Sequence, residues 1–114
     1  MARAFVILAL LSALASVYHV CGAFGLLAND TTSAMRHLVF VAIDIAGVWY
    51  FLNRPLMLFP LFVAMVVQQT LSHGARALRQ WEDFRHVDII SVITLGALYV
   101  GLVLLVLETR RARD

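Results

Sequence analysis

Four apolar runs, at positions 4–28, 38–52, 56–71 and 89–107, dominate this chain and restrict what it can fold into. The first and last are long enough to cross the roughly 30 Å hydrocarbon layer of a bilayer at about 1.5 Å of helical rise per residue. The middle two are shorter and must draw on flanking positions such as His37, Asn53, Pro55 and His73 to do the same. Lipid offers no water to backbone N–H and C=O groups, so each run must satisfy its own by forming a helix. The expectation is therefore all-α: an integral membrane four-helix up-and-down bundle, one domain over 1–114, with helices near 4–28, 37–53, 55–73 and 87–108. Pro60, early in the third run, predicts a kink there.

Composition narrows the class further. With 62% hydrophobic and 14% charged residues and a mean hydropathy of +0.88, the chain is too apolar for a soluble domain's surface. Its nine basic residues are all arginine and lie scattered at the ends of the apolar runs without forming a stripe, which argues against a nucleic-acid partner and leaves the lipid bilayer as the expected one. The lone Cys21 excludes an intramolecular disulfide and a multi-thiolate metal site. The opening MAR, then AFVILALL, then Ala13-Leu14-Ala15 imitate a signal peptide, but the apolar character continues well past that point, so a retained helix is the reading.

The connections differ in kind. Asn53-Arg54-Pro55 suits a tight hairpin, with Asn capping a helix end and Pro opening the next. In ARALRQWEDFRH (75–86), Ala75, Leu78 and Trp81 recur at helical spacing among charges. That pattern predicts a short interfacial helix between spans 3 and 4 with Trp81 as anchor, or alternatively a solvated loop. Trp49-Tyr50 reads as an interface belt, Glu82-Asp83 as a solvated face, and Asn29-Asp30-Thr31 as a turn and helix cap. Arg3, Arg54, Arg110, Arg111 and Arg113 would share one side of the membrane, and Arg36, Arg76, Arg79 and Arg85 the other. This weak bias favours cytoplasmic termini in a bacterial inner membrane, and its near-tie keeps an antiparallel homodimer open.

Up-and-down threading brings the end of span 1, the start of span 2, the end of span 3 and the start of span 4 to one membrane face. His19, His37, His73 and His86 all fall in that half, with Asp44 inside span 2. Ser12, Ser16 and His19 form a polar stripe, His37 and Asp44 share a face, Gln69 and His73 stand four apart, and Asp88, Ser91 and Thr94 follow at steps of three. Polar groups left unpaired in hydrocarbon cost several kcal/mol, so these stripes should turn inward to a common pocket walled in part by QQTLSHG (68–74).

Three functions compete for such a pocket. In the first, His19, His37 and His73 ligate a transition metal or haem b, or hold a small polar ligand in a redox role. Asp44, Gln68 and Gln69 would then orient them, and Arg36 and Asp88 would close the mouth by charge pairing. The second is a proton-coupled transporter of small solutes or cations, dimeric or not, working through Asp44. The third is a non-catalytic accessory subunit of a larger membrane complex, its helices drawn close by Ala42, Ala46, Gly47, Gly96, Ala97 and Gly101. No enzyme motif stands out: there is no HExxH, CxxCH, Gly-rich phosphate loop or Ser/His/Asp order.

Overall fold

A computed structural model describes residues 1–111 and is entirely helical. Helix α1 spans Ala2–Ala23, α2 Ala34–Asn53, α3 Phe59–Phe84 and α4 Ile89–Arg111, with a 3₁₀ turn at Leu56–Leu58. All four helices are long and apolar enough to cross a membrane. The chain divides into two compact units, Met1–Arg54 and Pro55–Asp114, each a helical hairpin. Arg113 of the terminal arginine group lies outside the described residues.

The first hairpin packs α1 against α2 in antiparallel fashion. His19 meets His37 near the connection, Ser12 meets Gly47 midway, and Phe5 meets Arg54 at the open end. Phe5, Leu8, Ala9, Phe40, Tyr50 and Phe51 are its buried apolar residues. The helices come close at Gly47, where a Cβ would stand 3.3 Å from Ser12 Oγ, so this glycine serves close approach of α1 and α2. Arg54 ends α2 in the left-handed region at φ 50°, donates its N–H to the Tyr50 carbonyl, and lays its guanidinium 4.9 Å from the Phe5 ring centre. Tyr50 is buried against Phe51 and takes no place in an interface belt, whereas Trp49 is exposed. Asn53 is the last helical residue, its side chain donating to the Trp49 carbonyl at 2.8 Å. The cap of α2 is Ser33, whose hydroxyl accepts from Arg36 N–H; Asp30 instead closes a turn by accepting from Thr32 N–H at 2.8 Å.

In the second hairpin α3 corrects two expectations. It runs unbroken from Phe59 to Phe84, so 75–84 form neither a separate interfacial helix nor a loop. Ala75, Ala77, Leu78, Arg79, Gln80 and Glu82 are all strong helix formers, and polarity alone does not stop a helix. Pro60 falls in the first turn of α3, where a missing N–H costs nothing, so it does not kink the interior. The helix stops at Arg85, left-handed at φ 51°, whose N–H reaches the Trp81 carbonyl. Contacts of Arg76 with Asp88 and of His73 with Ser91 show that α4 starts level with Arg76. The last two turns of α3 therefore extend past the start of α4, leaving Leu78, Trp81 and Phe84 exposed. Glu82 and Asp83 are exposed as expected.

Candidate functional site

In the first hairpin two imidazoles meet inside an apolar surround. His19, one turn before the end of α1, and His37, in the first turn of α2, are both buried, and their Nδ1 atoms are 3.0 Å apart. Phe40, one turn on from His37, stacks on His19 with ring centres 4.9 Å apart, and Tyr18 meets the same ring edge-on. Gly22, one turn on from His19, backs the His37 ring. A Cβ there would come within 2.5 Å of Nε2 and 2.7 Å of Nδ1, so only glycine leaves room for this imidazole. On its far side His37 Nε2 lies 2.9 Å from Asp30 Oδ2, a carboxylate nearly as well buried. That contact is close but lacks the alignment of a hydrogen bond, and it is an ion pair when His37 is protonated. The result is a chain of groups, His19, His37 and Asp30, running from within the helix pair to the connecting segment.

Proton positions follow from valence. With Asp30 ionised and His37 neutral, the Nε2–H of His37 faces the carboxylate and its Nδ1 is an acceptor, so His19 donates from Nδ1. Each imidazole needs its partner. A buried polar group left without one costs about 1–3 kcal/mol.

The second hairpin holds a different chain. Asp88 precedes α4 and accepts three donors: Ser91 N–H at 3.2 Å, the Ser91 hydroxyl at 2.7 Å and Arg76 Nε at 3.1 Å. Buried Ser91 in turn meets buried His73, with Oγ 3.0 Å from Nδ1. One turn earlier on α3, buried Gln69 donates to the side-chain oxygen of exposed Gln68 at 2.9 Å. Thr70 donates or accepts at the Tyr99 hydroxyl, 2.8 Å away.

Within the first hairpin His19 thus meets His37, and within the second His73 meets Ser91. In the second hairpin Asp88 pairs with Arg76; in the first the Arg36 guanidinium lies 5.7 Å from the Phe40 ring centre. The role expected of Asp44 beside the histidines falls to Asp30; Asp44 Oδ2 is buried in the first hairpin with no hydrogen-bond partner among the described residues. His86 is exposed. As a metal or haem ligand His37 is already engaged at both nitrogens, one facing His19 and the other Asp30. Among the described residues no three His, Cys, Asp or Glu side chains gather to hold a metal ion.

Gly22, Asp30 and Arg76 are the residues that sequence reasoning left out of the site, and Ser91 was seen only as part of a stripe. Gly22 had a signal: a glycine three positions after a histidine on one helix face makes room for a ring from the facing helix. Asp30 had none, because its reach to His37 depends on the path of a ten-residue connection. In comparison with known proteins, the chain matches no family model, no curated protein and no solved structure.

Proposed function

We propose that the chain is an integral membrane protein that handles protons, and that its first hairpin passes them along His19, His37 and Asp30. The observation that carries this reading is the buried 3.0 Å contact between two imidazole Nδ1 atoms, continued at 2.9 Å to a carboxylate. A proton taken up at His19 Nε2 releases the one on Nδ1 to His37. His37 then gives its Nε2 proton to Asp30 once the carboxylate turns into line. Both rings now hold the opposite tautomer and must turn over before the next transfer. The apolar surround of Phe40 and the neighbouring helix faces keeps water from short-circuiting the chain.

The arginine bias, including Arg110 and Arg111 at the end of α4, supports cytoplasmic termini in a bacterial inner membrane. Asp30 then lies on the extracytoplasmic side. Asp44 gives a second reading its one specific observation, a buried carboxylate oxygen without a partner in an apolar helix, as a transporter acting through that acid would need. Binding of metal or haem draws no support from the geometry.

Proteoliposomes with a trapped pH-sensitive dye and an imposed potassium diffusion potential test the relay. Both His37→Gln and Asp30→Asn are expected to slow proton entry by about tenfold or more, since general acid–base groups contribute at least that much to proton transfer. Flux that survives both substitutions but falls with Asp44→Asn transfers the role to Asp44.

A further inference from the structure

Asp44 is an acid that the relay leaves unused, and contacts along the first hairpin fix its place. On α2, His37, Phe40, Asp44, Gly47 and Phe51 recur at steps of three and four and so form one stripe, of which the other four residues are buried. On α1, Phe5, Leu8, Ser12, Ser16 and His19 recur in the same way, and Phe5, Leu8 and His19 are buried. The two stripes meet at His19 with His37 and at Ser12 with Gly47. In antiparallel helices of equal rise, three positions back from Gly47 is three positions on from Ser12. Asp44 therefore lies at the level between Ser12 and Ser16. Gly47 keeps this neighbourhood tight, because without a side chain it lets Ser12 Oγ lie where a Cβ at 47 would be 3.3 Å away.

The chemistry of this level differs from that of the imidazole pair. Asp44 Oδ2 is buried and has no hydrogen-bond partner among the described residues. A buried charge persists only when it is paired or holds a cation. The donors gathered here are oxygens throughout, one carboxylate and two hydroxyls, which suit a hard cation and not the softer transition metals that imidazole nitrogens serve. One negative charge matches one positive charge, whereas a divalent ion would leave a net charge uncompensated in apolar surroundings.

We infer that Asp44, Ser12 and Ser16 form a sodium-ion site midway along the first hairpin, at which the ion and a proton exclude each other. Sodium binding to the carboxylic acid gives the sodium carboxylate and releases one proton to water, with no other bond changed. The titratable groups on the two stripes and beside them are His19, three positions from Ser16, and His37 and Tyr50, seven positions before and six after Asp44. The two imidazoles are engaged with each other. The site deepens the second reading, a transporter acting through Asp44, and rests on that reading for any part in transport; its occupancy does not depend on the relay.

Labelling of the full chain in liposomes with dicyclohexylcarbodiimide reads that occupancy. The reagent adds whole to a protonated carboxyl and leaves an N-acylurea, so the modified fraction of the Asp44 peptide, measured by mass spectrometry, reports the acid form. Labelling is expected to fall as sodium chloride replaces choline chloride at constant ionic strength, and to need more sodium at lower pH. Ser12→Ala and Ser16→Ala are each expected to raise the sodium needed for half protection by about tenfold or more, as loss of a group that supports a metal ion does, while labelling in choline stays unchanged. Labelling of Asp44 that ignores sodium, or no labelling of Asp44 in choline, would overturn the site. Protection that is the same in both serine variants as in the unsubstituted protein would overturn its hydroxyl ligands. Sodium protection that holds while Asp44→Asn leaves proton and sodium flux unchanged keeps the site and removes the transport reading instead.

Discussion

Gly22→Ala is expected to abolish the imidazole pair of the first hairpin while leaving its helices folded. A single methyl at this position occupies the space of the His37 ring, 2.5 Å from Nε2 and 2.7 Å from Nδ1, well inside van der Waals contact. The ring must turn away, and any rotation that relieves the overlap takes Nδ1 off His19. Two opposing terms set the stability. Alanine in place of glycine within a helix gains about 1 kcal/mol in backbone terms. The lost hydrogen bond costs about 1 kcal/mol, and local overpacking about 1–3 kcal/mol. The net change is a modest destabilisation of about 1–3 kcal/mol, measurable as a lower unfolding midpoint with helical content unchanged. Proton entry into liposomes should fall as far as it does for His37→Gln. Gly25→Ala is the control: this glycine has a positive φ but nothing within 4 Å, so it strains a turn without touching His37. Full proton flux in Gly22→Ala would mean that the ring contact does not conduct.

In the second hairpin the largest loss is expected from Asp88→Ala. Asp88 caps α4 by accepting Ser91 N–H, receives the Ser91 hydroxyl, and pairs with Arg76, all within 3.2 Å. Losing the cap costs about 1 kcal/mol, and a buried hydroxyl deprived of its acceptor costs about 1–3 kcal/mol more. The half-exposed Arg76 pair adds little, because solvent screens it. A total of about 2–4 kcal/mol follows, to be read from unfolding in mild detergent. Asp88→Asn retains an acceptor for the cap and should lose less than half as much. Equal losses in the two variants would mean that charge, not capping geometry, holds this corner.

The four helices were legible because long uncharged runs have few other ways to satisfy their backbones. What misled the reading of α3 was chemical, not conformational. Residues 75–84 turn polar, which suggested an element change, yet Ala, Leu, Arg, Gln and Glu continue a helix as readily as Leu and Val do in lipid. The candidate site was half legible. A histidine in an apolar span must find a partner, which pointed to His19, His37 and His73. The identity of each partner depends on connections that carry no periodic signal, so neither Asp30 beside His37 nor Arg76 beside Asp88 could be read from the spacing. Tyr50 failed for a simpler reason: Trp49 and Tyr50 are adjacent, and adjacent helical residues face about 100° apart, so one points outward while the other packs on Phe51.

The most direct measurement is a through-hydrogen-bond ¹⁵N–¹⁵N correlation in histidine-labelled protein embedded in lipid bilayers. Nδ1 of His19 and Nδ1 of His37 are expected to correlate with each other, and the cross-peak to vanish in Gly22→Ala. Two rings that each correlate only with water or lipid, with no peak between them, would contradict the buried imidazole pair and with it the proton-handling role.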